Sequence, residues 1–146
     1  MNVSNNRKSV ILIIDIGTTF LKIALFDNKA NPIEDFQFKS PHTLIIDKEG
    51  KNEFDPEILS NLIEENIDKI LLRLENKYEI IAVAVDSMAS TFMGLDKNKK
   101  PLTNVFTYAD TRSKSQMEMI KREIDIEEVY DRTGCPIHTA YVPSKV

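Results

Sequence analysis

The chain has 146 residues, of which 42% are hydrophobic and 29% are charged, and its net charge is −4. This length and composition fit one globular domain, and the negative charge gives no electrostatic footprint for nucleic acid or an anionic membrane. A single cysteine, Cys135, excludes an internal disulfide framework and indicates a reducing compartment. The apolar run Val10–Ile14 is too short for a signal peptide or a membrane span, so we expect a soluble, cytoplasmic protein.

The first part of the chain predicts a three-stranded meander after a flexible N-terminus, residues 1–9. The β-branched run Val10–Ile14 indicates a strand buried on both faces. Phe20–Phe26 follows it so closely that the two strands must pair in antiparallel fashion. Alternation predicts a third strand over Ile33–Lys39, and we expect a loop over Ser40–Phe54.

The middle of the chain predicts a helix and two more strands. Asp55 and Pro56 are typical of a helix start. Apolar residues then recur at helical spacing and should pack on the sheet: Ile58, Leu59, Leu62, Ile63, Ile67, Ile70, Leu71 and Leu74. Ile80–Val85 predicts a fourth strand, parallel to the first because a helix followed by a buried strand is the βαβ pattern. Thr91–Leu95 is the expected fifth strand, with a turn over Asp96–Lys100.

The last part predicts a short extended segment over Val105–Tyr108 and a helix over Thr111–Glu123. A second, shorter helix should begin at Asp125–Glu128 and end at Gly134. The order of strands and helices is that of a ribonuclease-H-like α/β domain. We therefore expect one mixed five-stranded sheet with flanking helices.

The turn after the first strand carries groups that suit a phosphate and a metal ion. Gly17 can adopt a positive φ and lets an anion approach the main chain, and Thr18 and Thr19 add hydroxyl donors. Asp15 is a candidate ligand of Mg²⁺, and Lys22 adds a positive charge near the phosphates. A plain β-hairpin whose glycine permits the turn explains this segment alone equally well.

Two further segments could bind a hydroxylated molecule. Asp110 can accept from sugar hydroxyls, Arg112 can donate to oxygens, and Tyr108 offers a flat face. The alternative, which the spacing alone favours, is a helix N-cap with a surface ion pair. Ligands of open α/β sheets bind near the carboxyl ends of parallel strands, so the end of the fourth strand adds four candidate contacts, Asp86, Ser87, Met88 and Ser90. The alternative is that this segment is an ordinary exit from a strand into a loop. His42 lies in a Pro-rich loop and is expected to be solvated.

Taken together, these segments resemble the N-terminal domain of the FGGY family of carbohydrate kinases, in the actin/hexokinase/Hsp70 superfamily of actin-like ATPase folds. The expected domain spans residues 10–146. The resemblance is strongest in the gluconate kinase branch, through Cys135–His138 and Lys100–Thr103, with the xylulose kinase branch next. The residues that carry the family resemblance are Ile14–Thr19 with Lys22, Leu95–Leu102, Ala109–Ser113, Tyr130–Gly134 and Pro143–Lys145.

The resemblance implies transfer of the γ-phosphoryl of ATP to a sugar or sugar-acid hydroxyl, with Mg²⁺ as a cofactor. By position, Asp15 would serve Mg²⁺, Gly17 to Thr19 the phosphates, and Asp110 with Arg112 the sugar. The catalytic base and the adenine site are expected in a C-terminal domain that this chain lacks, so we expect the chain alone to be inactive. Its expected partners are the sugar, that domain and a second copy of the chain, with no nucleic acid and no membrane.

Two departures from the family pattern fall in the expected sugar pocket. No histidine is present in Met88–Thr91, and Tyr108 stands where the family usually has tryptophan. Three other interpretations stay open at this point. They are a non-catalytic sugar- or nucleotide-responsive regulator of the same superfamily, a superfamily kinase acting on an acyl or pantothenate-like substrate, and a structural domain that has lost its chemistry.

Overall fold

The computed structural model describes residues 7–145, which divide into two units. The first unit combines residues 7–43 with 57–88, and the second combines 44–56 with 89–145. In chain order the strands and helices are β1 (Lys8–Ile16), β2 (Phe20–Phe26), β3 (Pro32–Pro41), β4 (Ile45–Ile46), β5 (Asn52–Phe54), α1 (Pro56–Arg73), β6 (Tyr78–Ser87), β7 (Val105–Phe106), α2 (Lys114–Glu123) and α3 (Ile126–Thr133). The expected flexible N-terminus lies, for residues 1–6, outside the described part, whereas Lys8 and Ser9 already belong to β1.

The sheet of the first unit has four strands in the order β3-β2-β1-β6. β2 pairs in antiparallel fashion with both β1 and β3, and β6 runs parallel to β1. The meander and the parallel fourth strand predicted from the sequence are therefore confirmed. The fifth strand is not part of this sheet, and its expected segment forms only isolated bridges, from Phe92 to Phe106 and from Leu95 to Pro101. The Gly94 N–H instead donates to the Thr103 hydroxyl at 2.9 Å, so a side chain takes the place of a ladder bond.

One face of the first sheet forms an apolar core with α1. Alternate residues of β1 and β2 are buried there, with Leu25 and the helix residue Ile70 fully inaccessible. Burial of one such side chain contributes about 1.5–3 kcal/mol to stability. Most of the predicted helical stripe packs on this core, but Ile58 and Leu71 stay 61% and 48% exposed. The stripe is therefore narrower than the sequence pattern suggests.

The second unit contains a small antiparallel sheet in the order β4-β5-β7. Its first two strands contradict the loop that we expected over residues 40–54. The Asp47 carboxylate accepts from the Glu49 and Lys51 N–H groups at 2.9 Å and so closes the turn between them. Strands of two and three residues are too short to show a period in the sequence.

The helices of the second unit are close to those predicted. α2 begins at Lys114 rather than Thr111, because the preceding residues form a turn in which Lys114 N–H donates to Thr111. For α3, the Asp125 carboxylate accepts from the first-turn amides, and Gly134 ends the helix at φ 66°. Among residues 7–145, no helix has both the length and the apolar character needed to cross a membrane.

Candidate functional site

The turn between β1 and β2 is closed by one backbone hydrogen bond, from Gly17 N–H to Phe20 O at 3.1 Å. Our expectation of a positive φ at Gly17 is wrong, since the described glycines with positive φ are Gly50 and Gly134. The glycine is needed for another reason. A Cβ atom at Gly17 would lie 3.1 Å from the Phe20 carbonyl oxygen, closer than ordinary van der Waals contact. A side chain here would therefore require the Phe20 carbonyl group to shift by a few tenths of an ångström.

The next two residues of the turn present hydrogen-bond donors that the protein itself does not use. Within residues 7–145, neither the amide nor the hydroxyl of Thr18 or Thr19 takes part in a hydrogen bond. Thr18 is half-buried and Thr19 is exposed. Main-chain and hydroxyl donors that converge in a turn form an anion-binding concavity.

Charged groups flank this turn at the ends of β1, β2 and β6. Asp15 and Lys22 are opposite each other in the ladder, and Lys22 Nζ lies 2.7 Å from Asp15 Oδ2. Asp86 is the register partner of Asp15 on the parallel strand β6, and its carboxylate accepts from the Ser87 N–H at 2.9 Å. The structure thus brings Asp86 and Ser87 to the same end of the sheet as the turn that contains Gly17, Thr18 and Thr19. Met88 is the last residue of this unit.

The residues at this end of the sheet fit a magnesium ion that is held mainly by a nucleotide. Within the described residues, no three His, Cys, Asp or Glu side chains cluster to hold a metal by themselves. Magnesium in phosphoryl-transfer sites usually takes one or two carboxylates and fills its other positions with phosphate oxygens and water. The partly exposed Asp15 carboxylate meets that requirement.

His42 differs from our expectation of a solvated loop residue. Its side chain is half-buried, and its Nε2 atom lies 2.6 Å from the Gly17 carbonyl oxygen. The backbone N–H of His42 donates a longer hydrogen bond, 3.4 Å, to the carbonyl oxygen of Thr19. No sequence pattern indicates this contact, because it depends on the register that brings the end of β3 beside the turn.

The second unit contains a charged cluster around Asp110. This side chain is 3% exposed, and its carboxylate accepts from Asn52 N–H at 3.0 Å and from Arg112 Nη2 at 2.6 Å. Arg112 Nη2 also donates to the buried Glu53 carboxylate at 2.5 Å. One guanidinium is therefore shared by two carboxylates. Neither Asn52 nor Glu53 was singled out from the sequence, because the strand Asn52–Phe54 is too short to show a period.

The charges in this cluster stabilise one another. Burial raises the pKa of Asp110, but the hydrogen bonds from Arg112 and Asn52 outweigh it and hold this pKa below its ordinary value. The hydrogen bond to Asp110 raises the pKa of Arg112 well above its ordinary value, with a further contribution from Glu53. Asp110 is therefore ionised and Arg112 protonated at neutral pH.

A cavity of about 500 Å³ adjoins the cluster. Lys145 contributes to its wall and donates from Nζ to the Thr107 carbonyl oxygen at 2.8 Å. Burial lowers the pKa of this lysine, which the nearby Asp110 partly offsets. The remaining lining residues are Phe106, Asp110, Arg112, Ser113, Gln116 and Ser144.

The predicted sugar-binding residues are divided between the two units. Asp86, Ser87 and Met88 belong to the first, and Ser90, Tyr108, Asp110 and Arg112 belong to the second. Of the second group, only Asp110 and Arg112 are joined by hydrogen bonds. Tyr108 is 51% exposed, and Ser90 adopts a positive φ of 54°.

Comparison with known proteins gives a consistent result. The model of the FGGY family of carbohydrate kinases, N-terminal domain, matches residues 10–146. The gluconokinase of Bacillus licheniformis is 32% identical over 138 residues, which cover 94% of this chain and 26% of that protein. The chain thus spans about a quarter of the length of the curated relatives that it matches.

Two solved structures from Lactobacillus acidophilus have the same fold. The gluconate kinase superimposes with a TM-score of 0.80 at 27% identity, covering 91% of this chain and 26% of that one. The xylulose kinase, solved with a ligand bound, superimposes with a TM-score of 0.79 at 27% identity. This match covers 90% of this chain and 26% of the xylulose kinase chain. These matches confirm the fold class expected from the order of strands and helices.

Proposed function

Since the chain belongs to the FGGY family of carbohydrate kinases, we propose that it supplies two parts of an ATP-dependent sugar kinase, the phosphate turn (residues 17–19) and the sugar-side wall. The observation that carries this proposal is the set of unused donors on Thr18 and Thr19, placed between Asp15 and Lys22. Gluconate is the favoured acceptor and xylulose the next, in line with the gluconokinase and xylulose kinase relatives. The cytoplasmic location expected from the sequence stays a prediction.

In this proposal the first unit positions the nucleotide. The amides and hydroxyls of Thr18 and Thr19 donate to phosphate oxygens, and the Lys22 ammonium supplies a positive charge beside them. Asp15 holds Mg²⁺, which when bound neutralises charge on the phosphates. Such transfer depends on position and charge neutralisation more than on covalent chemistry, so these roles suit groups that bind without reacting.

The second unit forms the sugar-side wall. In this wall Asp110 orients the Arg112 side chain and does not itself accept a hydrogen bond from the sugar. Its two carboxylate oxygens already receive hydrogen bonds from Asn52 and Arg112. The Arg112 side chain, 35% exposed, and the exposed Tyr108 ring are better placed to meet a ligand. Asp86, Ser87, Met88 and Ser90 stay candidate contacts.

Ligand-induced stabilisation tests this function. A ligand that binds only the folded state raises the unfolding midpoint, and the stabilisation grows with the logarithm of the ratio of ligand concentration to Kd. We expect MgADP to raise the midpoint of the wild-type chain, and the double variant Thr18→Val/Thr19→Val to lose part of that rise. We also expect a rise with gluconate that exceeds the rise with xylulose or glycerol. Absence of any rise with nucleotide would contradict the proposed phosphate turn.

The proposal also covers activity. Because the 146 residues span about a quarter of the length of the curated relatives, we propose that they do not complete the transfer alone. A coupled ADP-release assay with gluconate, xylulose and glycerol measures this directly. Turnover by the purified 146-residue chain would overturn that part of the proposal.

A further inference from the structure

The segment that follows β3 holds the phosphate turn through two carbonyl groups. His42 Nε2 lies 2.6 Å from Gly17 O, and His42 N–H donates to Thr19 O at 3.4 Å. The residue before it, Pro41, is the ladder partner of Phe20, which closes the turn. The first of these contacts is short and belongs to a side chain, so it depends on the residue at position 42.

The hydrogen bond between His42 Nε2 and Gly17 O fixes the orientation of the whole Gly17–Thr18 peptide plane. A carbonyl oxygen can only accept, so His42 Nε2 carries the hydrogen and donates it. In a trans peptide the C=O and N–H groups point in opposite directions within a rigid plane. With Gly17 O turned toward His42, the Thr18 N–H is directed to the opposite side of the turn, where it has no partner within residues 7–145.

We propose that His42 is a positioning residue that sets the direction of the Gly17–Thr18 peptide and so keeps the Thr18 N–H available to a phosphate. This inference rests on the proposed nucleotide function of the turn. Without a donor at position 42, the plane rotates more easily. A rotated plane aims the Gly17 carbonyl dipole at the site of the phosphates, where it repels them.

Two substitutions separate the hydrogen bond from the bulk of the side chain. In His42→Gln, the terminal amide nitrogen can donate to the Gly17 carbonyl from about the position of Nε2. In His42→Leu, the volume is largely kept but no donor remains. We expect the leucine variant to bind MgADP about tenfold more weakly, and the glutamine variant to stay within about twofold of wild type.

Two measurements on the turn do not depend on nucleotide. The ¹⁵N shifts of the neutral His42 imidazole should show a protonated Nε2 in the wild-type chain. Hydrogen exchange at the Gly17 amide, which is bonded to Phe20, should accelerate in His42→Leu and be restored in His42→Gln. A protonated Nδ1 with a bare Nε2, or equal exchange in all three proteins, would overturn the inference.

The outcomes distinguish this inference from the proposed function. Weak binding by His42→Leu with normal binding by His42→Gln supports both. If the tautomer and exchange results hold but wild type binds no MgADP, then His42 holds the turn and the nucleotide function is wrong. If wild type and both variants bind MgADP equally, the nucleotide function stands and the role of His42 is overturned.

Discussion

Asp15 and Lys22 face each other across β1 and β2, with the Oδ2 and Nζ atoms 2.7 Å apart. Their side chains are 33% and 55% exposed, so the ion pair itself adds well under about 1 kcal/mol to stability. Its importance lies in what the two groups do for a ligand. Lys22 Nζ contacts one oxygen of the carboxylate that we propose for Mg²⁺, and in the same proposal its positive charge lies beside the phosphates.

Substitutions of this pair should therefore affect binding in different ways. We expect Asp15→Asn to remove the increase in ADP affinity that Mg²⁺ gives, leaving the affinity near its metal-free value. We expect Lys22→Gln to weaken ADP binding about fivefold both with and without Mg²⁺, as loss of a partly exposed charge. Titration calorimetry with and without the metal measures both, and Asp35→Asn on β3 is the control. The same loss in both variants under both conditions would contradict separate roles.

Asp110 should be critical for the stability of the second unit. Asp110→Asn keeps the shape of the side chain but leaves Arg112 and the Asn52 amide with a weaker acceptor. We expect the free energy of unfolding to fall by about 2–3 kcal/mol. This is less than the roughly 3–5 kcal/mol for a fully buried charged pair, because the Arg112 side chain is 35% exposed. Urea unfolding measures this. Asp131→Asn, at an exposed position on α3, should change stability by less than about 0.5 kcal/mol.

The same residue predicts a dependence on pH. The pKa of Asp110 is held below its ordinary value in the folded chain, so the unfolded chain binds this proton more readily. The resulting stabilisation is complete above about pH 4 and is lost as the pH falls through the folded-state pKa. The stability difference between wild type and Asp110→Asn should therefore shrink toward low pH. A difference that grows on acidification would contradict the assigned direction.

Two glycines with positive φ should respond differently to alanine. A Cβ at Gly134, φ 66°, meets no atom within 4 Å, so Gly134→Ala costs about 1 kcal/mol from backbone strain alone. At Gly50, φ 96°, a Cβ would lie 2.2 Å from the Thr111 hydroxyl oxygen. We expect Gly50→Ala to cost about 3 kcal/mol, part of which Thr111→Ala restores in the double variant. Equal unfolding free energies for the two single variants would show that the contact is relieved without cost.

We expect two copies of the chain to associate through the outer edge of β6. This strand is at the end of its sheet, and Ile81, Val83 and Val85 are 60%, 56% and 63% exposed. An exposed, apolar strand edge is a template for pairing with a second copy. We expect concentration-dependent dimers by sedimentation, and expect Val83→Lys to suppress them. The control Leu72→Lys places the same charge on α1; a wild-type monomer at high concentration would contradict this prediction.

Sequence patterns predicted the parts of the fold that rest on long runs of apolar residues. β1, β2, α1 and β6 each extend over seven or more residues, long enough for their periods to be recognised. The sheet of the second unit was missed because its strands have only two or three residues. A pattern of that length does not distinguish a strand from a loop.

The candidate site was predicted where its members are close in sequence. Asp15, Thr18, Thr19 and Lys22 come from one β-hairpin, and Asp110 and Arg112 come from one segment. Glu53 and His42 were not predicted, because their partners are 59 and 25 residues away in the chain. Contacts of this kind depend on strand register and on chain closure, which spacing along the sequence does not encode.

The way β6 joins the first sheet has a consequence for how the protein folds. Its pairing partner β1 is joined to it through a meander, an excursion into the second unit and a long helix, so Lys8 meets Tyr78 only after a large loop has closed. Closing this loop costs chain entropy, and the contact between β1 and β6 stabilises the chain only after the loop has closed. During synthesis the local β1-β2-β3 hairpins can form first, while the parallel strand arrives late. Substitutions in β6 should therefore change mainly the unfolding rate, and substitutions in the meander the folding rate.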